Sequence, residues 1–157
     1  PMEKVDLYFW DAEVEDSQCV CIKAGYGIDE TQFAEELRTE SCMKYGVVPL
    51  ELGGEMPFEH LTDIMRFHQF APVVSAKAAD VIRDVFNAGV DWIEATLCGQ
   101  PCYIVHVRDV KRLNAKRGLI SRIREYPESP PVVNGEFVDL WQKAGLTGAQ
   151  FQRVPVT

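Results

Sequence analysis

A reactive or metal-binding centre in this chain would have to be built from its five cysteines and three histidines, spread over 157 residues. Cys19-x-Cys21 and Cys98-x-x-x-Cys102 come nearest to a metal constellation, because four thiolates can surround zinc tetrahedrally. Their setting argues against it. Structural zinc sites use spacers of about two to four residues in turns, whereas Cys19 and Cys21 fall in the apolar run "CVCIK" and point to one face of a strand. Free cysteine commonly packs as a small buried hydrophobe, so no metal and no cofactor are expected. A cysteine nucleophile would need His60, His68 or His106 within hydrogen-bond reach. Only His106 shares a hairpin with a cysteine pair, and no family signature surrounds Cys98 or Cys102. His106 reads as a half-buried strand histidine, with a small enzyme using Cys102 or Cys98 and His106 kept as an alternative. The carboxylate pairs Glu35-Glu36 and Glu13/Glu15 lack a context that would raise a pKa. The "GYG" and "LGGE" glycines lack the frame of a phosphate loop.

Charge is unevenly placed. Residues 1–60 carry 14 Asp or Glu against 4 Lys or Arg, and residues 61–157 carry 10 against 12, within a net charge of −8. The run "RDVKRLNAKRGLISRIR" (108–124) sets Arg108, Lys111, Arg112, Lys116, Arg117, Arg122 and Arg124 against the single acid Asp109. A net acidic chain repels nucleic acid at long range, so nucleic acid is an unlikely partner, and a nucleic-acid module using the basic run is the third reading. No apolar run approaches the ~20 residues of a membrane span, and the first residues lack the zones of a secretory signal. Reduced thiols and a cytoplasmic location are expected.

The elements that position these residues follow from pattern. The length suits a single domain. "KVDLYF" (4–9) and "CVCIK" (19–23) read as an antiparallel strand pair. "DETQFAEELRTESCMKYG" (29–46) reads as a helix capped by Asp29 and ended by Gly46, and "FEHLTDIMRF" (58–67) as a short amphipathic helix. A strand over Pro72–Val74 leads to a helix capped by Ser75 and stopped at Gly89. Strands 90–97 and 103–107 then flank a Gly-Gln-Pro turn as a hairpin. "PVVNGEFVDLWQKAGLTGAQFQRV" (131–154) reads as a shortened copy of this unit. Pro131-Val132-Val133-Asn134 parallels Pro72-Val73-Val74-Ser75, and Ala144-Gly145 parallels Ala88-Gly89, with the second helix three residues shorter. Phe137, Leu140 and Trp141 give that helix its apolar face. The fold class is α+β: one domain over 1–157, with a mixed or antiparallel sheet, hairpins and several short helices packed on it.

Trp92 and Trp141 fit core patterns. Trp10, beside Asp11, Glu13, Glu15 and Asp16, has both a core reading and an interface reading, since aromatics next to charge are enriched at interfaces.

Three stretches carry a resemblance: "APVVSAKAADVI", "DWIEATLCGQPCYIVHV" and "VVNGEFVDLWQKAGLTGAQFQRV". They resemble immunity-protein group eleven of bacterial polymorphic toxin systems through Val73-Val74-Ser75, Tyr103-Ile104-Val105, and Ala144-Gly145-Leu146-Thr147-Gly148 with Phe151. The family-like region spans roughly 70–155, and the acidic stretch over residues 1–60 is variable. The resemblance implies a non-enzymatic cytoplasmic protein that binds a cognate toxin or effector domain and blocks it. A nuclease effector would have a basic groove, which Trp10, Asp11, Glu13, Glu15, Asp16, Glu35 and Glu36 would meet with complementary charge.

Overall fold

The computed structural model describes residues 6–13, 19–53, 61–85, 89–113, 115, 118 and 120–155. Among these residues eleven strands and three helices form a mixed α/β fold dominated by sheet. The sequence pattern leads one to expect a single sheet, and there are two.

The first sheet has six strands in the order β2 (Val20–Ile22), β3 (Val48–Leu52), β6 (Val90–Leu97), β7 (Gln100–Val107), β5 (Ala71–Ser75) and β4 (Ile64–His68). Its neighbours are antiparallel except β3 and β6. Cys19, next to β2, bridges Arg66 of β4. The first and last strands therefore meet and the sheet closes on itself. Phe33 and Leu37 of α1 (Glu30–Leu37) join the core on its inner face with Ile22, Leu50, Phe67, Phe70 and Ile104. The second sheet has the order β11 (Ala149–Arg153), β1 (Leu7–Ala12), β10 (Val132–Asn134), β9 (Ile120–Ile123) and β8 (Val110–Lys111). α2 (Ala76–Ile82) and α3 (Gly135–Lys143) pack on each other and share one core with both sheets, including Trp10, Ile64, Val74, Val105, Val133 and Trp141. None of these helices is long and apolar enough to cross a membrane.

The suspected copy is a real equivalence of backbone plan. In the first unit Val73 faces Ile104 and Val74 faces Tyr103; in the second Val132 faces Phe9 and Val133 faces Tyr8. Ser75 caps α2 by accepting from the Ala78 N–H at 3.1 Å, and Asn134 caps α3 by accepting from the Phe137 N–H at 3.1 Å. β6 opens with Val90 facing Val107, and β11 opens with Ala149 facing Ala12. The glycine just before each strand has a left-handed φ, +75° at Gly89 and +84° at Gly148. Gly89 accepts a hydrogen bond from the Arg108 N–H, and Gly148 one from the Glu13 N–H. The first unit is β4-β5-α2-β6-β7. The second is β9-β10-α3-β11, and β1 completes it from the other end of the chain.

Several expectations change. α3 has nine residues and α2 seven, so the second helix is the longer, and Gly148 rather than Gly145 corresponds to Gly89. α1 is capped by Asp29 as expected, with Gln32 N–H donating to Asp29 at 3.0 Å, but it stops at Leu37. Continuing its buried stripe would bring Glu40, Ser41 and Lys44 inward, at a desolvation cost that nothing there offsets. The helix expected over 58–67 is strand β4 from Ile64 on, while 58–60 lie outside the described residues. Ile64 faces one core and Met65 and Phe67 the other, so an apolar run that fits a helical period is used as a strand buried on both faces. β1 and β2 are not partners, because β1 pairs with β10 and β11. The β6–β7 turn consists of Cys98 and Gly99, with φ of 51° and 76°, so Gln100 and Pro101 already belong to β7. Positive φ at both central residues is the geometry that matches strand twist in a two-residue hairpin.

Candidate functional site

The chemistry-bearing residues fall into three groups. The first is a buried node on the β6–β7 hairpin. Asp91 and His106 are directly opposite in the register and are 9% and 0% exposed. His106 Nδ1 lies 2.8 Å from Asp91 Oδ2, and Nε2 lies 2.9 Å from the Thr39 carbonyl. Both ring nitrogens are thus engaged, one by a carboxylate and one by a main-chain carbonyl. Asp91 also accepts from Met43 N–H at 2.9 Å, from the Cys42 thiol at 3.3 Å and from Arg108 Nε at 3.0 Å. Burial pushes the Asp91 carboxyl up, but the Met43 N–H, His106, the Cys42 thiol and Arg108 outweigh it and hold the group below its ordinary value. The node pins the segment after α1 onto the sheet. Neither nitrogen of His106 is free to act as a base.

The cysteine–histidine alternative also fails on distance. Cys102 and His106 share a face of β7 four residues apart, about 13 Å at the rise of a strand, and Cys98 is at the hairpin tip, farther still. Burial pushes the Cys102 thiol up to about 12, so it stays protonated at neutral pH. Cys21 is also raised, first by burial and then by Glu51 and Glu30. Among the described residues no three His, Cys, Asp or Glu side chains are gathered as a metal site requires. His68 stacks on Phe70 with centroids 5.6 Å apart, and burial lowers its pKa. His60 lies outside the described residues.

The second group is the acidic set, which the structure divides. Trp10 must be removed from it: its side chain is 0% exposed, 4.9 Å from the Phe137 ring and 5.7 Å from the Trp141 ring. Strand alternation sends Trp10 to the helical face and Asp11 to the opposite one. Asp11 is ion-paired with Arg66 at 3.1 Å, and Glu13 is exposed. Glu15 and Asp16 lie outside the described residues. Glu35 and Glu36 sit on α1, against the other sheet, where Glu36 accepts from the Tyr45 hydroxyl. Burial, then that hydrogen bond, push the Tyr45 phenol up to about 12.

The third group is the basic segment, whose cations do not form a continuous face among the described residues. Arg108 is held by Asp91, Lys111 lies 3.7 Å from Asp109, and Arg124 lies 3.9 Å from Glu40. Arg122 is buried, donating to the carbonyls of Leu37 at 3.3 Å and Pro127 at 3.0 Å, with its guanidinium 5.1 Å over the Phe70 ring. Lys116 and Arg117 lie outside the described residues.

The outer face of the second sheet carries two adjoining grooves. A groove of about 200 Å³ is lined by Phe9, Asp11, Gln69, Ser129, Pro130, Gln150 and Gln152. It adjoins one of about 280 Å³ lined by Phe9, Leu113, Tyr126, Ser129, Val154 and Pro155. Sequence reasoning singles out only Asp11 here, because the partners of Phe9 come from the far end of the chain. It also misses the Asp91 node. A two-residue turn at Cys98-Gly99, counted back along the strands, would have placed Asp91 opposite His106. No family model matches the chain, and no curated protein matches it.

Proposed function

We propose that this protein binds and neutralises a cognate toxin or effector domain inside the bacterium that produces it, as the resemblance to immunity-protein group eleven implies. The observation that carries this reading is where the resembling residues lie. Ser75 caps α2, Tyr103 faces Val74 across the β5–β7 ladder, Gly148 supplies a left-handed turn, and Phe151 packs its ring 6.4 Å from Trp141. All of these are framework positions, which is what a family keeps when its members share a scaffold and differ in the partner they meet. The geometry of the reactive residues favours binding over turnover, since His106 and Asp91 commit their polar atoms to each other and to the backbone. Asp11, Glu13, Glu35 and Glu36 supply negative charge on two elements, suited to steering a basic partner.

Co-expression tests the reading. A secreted protein encoded beside this chain should be toxic alone and harmless with it. Replacing Glu13, Glu35 and Glu36 together by Lys should slow association with that effector roughly tenfold or more at low salt and much less at high salt. Equal rates for both proteins would remove the acidic set from recognition. A harmless neighbouring product would remove the reading itself.

A further inference from the structure

We propose that β11 is the seam of a symmetric homodimer, in which two copies pair antiparallel through this strand about a two-fold axis at Phe151. Val154 N–H donates to Leu7 at one end of the β1–β11 ladder and Glu13 N–H donates to Gly148 at the other. The register between them pairs Phe9 with Gln152 and Asp11 with Gln150. Antiparallel ladders alternate hydrogen-bonded and non-bonded pairs, so Gln150, Gln152 and Val154 turn their backbone groups toward β1. Ala149, Phe151 and Arg153 turn theirs outward, and among the described residues nothing accepts from or donates to those groups.

The other edges of the molecule are managed. The six-stranded sheet closes through the Cys19–Arg66 bridge. The far edge of the second sheet, β8, is two residues long and its Lys111 is ion-paired with Asp109. Short length and lysine are devices that keep an edge from pairing. β11 has five residues, with no lysine and no proline among them, and its ladder to β1 runs without a bulge. It is bounded by the turn at Gly148 and by Pro155.

The edge also complements itself. With Phe151 opposite its own copy, Ala149 faces Arg153, so two like charges never meet, and each facing pair exchanges both main-chain hydrogen bonds. Phe151 is only half-buried on Phe137 and Trp141, and its exposed edge would be covered by the same residue of the second copy. Such a seam is smaller than a standard interface, so the dimer should be of roughly micromolar affinity or weaker. It does not depend on the identity of any effector.

Sedimentation velocity over about 1 to 500 µM tests it. The expected result is a rise from the mass of one chain toward that of two. Arg153→Pro removes an outward N–H and leaves the β1 ladder intact, and should abolish the rise. Ala149→Arg sets two arginines opposite each other and should raise the dissociation constant about tenfold, while Ala149→Glu should lower it several-fold. Thermal unfolding of each variant in dilute solution checks that it is folded. A dimer indifferent to all three substitutions would overturn the proposal. A monomer at every concentration would overturn it too, leaving the edge to an extended strand of another protein.

Discussion

The units β4-β5-α2-β6-β7 and β9-β10-α3-β11-β1 share a backbone plan and use the same positions differently. Asp91 opposite His106 in the first corresponds to Gln150 opposite Asp11 in the second. The first pair is sealed beneath α1 and the segment after it, and becomes an internal clamp. The second faces a groove, and becomes surface. The helices differ in the same spirit. α2 meets the core with Ala78, Ala79 and Ile82, and α3 with Phe137 and Trp141. What covers the sheet decides whether a polar pair holds the fold or is available to another molecule.

The largest expected effect is on the bulky side of this asymmetry. Trp141→Ala should cost about 3–5 kcal/mol in denaturant unfolding, because its ring contacts Trp10, Phe137 and Phe151. Ile82→Ala should cost less, and the reverse order would mean that the first helix anchors the shared core.

Next comes the contrast between the polar pairs. Asp91→Asn should cost about 3 kcal/mol, since it replaces the buried carboxylate that Met43 N–H, the Cys42 thiol, His106 and Arg108 all engage, whereas Asp11→Asn should cost under about 1 kcal/mol. Equal losses would erase the distinction between clamp and surface. The Asp91 carboxyl is held below its ordinary 3.8 in the fold, so on acidification the unfolded chain takes up this proton first. Its stabilisation is fully present above that pH and is lost as pH falls below it. The gap between the parent and Asp91→Asn unfolding curves should therefore shrink in acid.

The smallest contrast separates the two glycines. Left-handed backbone costs alanine about 1–2 kcal/mol at either position. At Gly148 an added Cβ would also lie 2.4 Å from Thr62 Cβ, whereas at Gly89 its nearest neighbour is 3.4 Å away. Gly148→Ala should thus lower the melting temperature more than Gly89→Ala, by roughly 2–8 °C if the clash adds about 1 kcal/mol.

Much of the local grammar is readable in the sequence. The caps at Asp29, Ser75 and Asn134, the β6–β7 hairpin and the apolar face of α3 each rest on contacts a few residues apart. What escapes depends on distant residues. The end of α1 is hidden because Thr39 and Met43 find their partners on β6 and β7. β4 reads as a helix because a strand with a core on each face has no period of two. Trp10 keeps both a core and an interface reading in the sequence because the ring cluster that buries it is assembled from α3. The acidic set reads as one patch in the sequence, and its described members are carried by different elements, Asp11 by β1 and Glu35 and Glu36 by α1.

The placement of β1 has a consequence for synthesis. This strand leaves the ribosome before the first unit exists, yet both of its ladder neighbours, β10 and β11, are made after that unit is finished. β1, carrying Trp10, must therefore wait unpaired while the whole first unit is made. That interval is when a chaperone would have most to do.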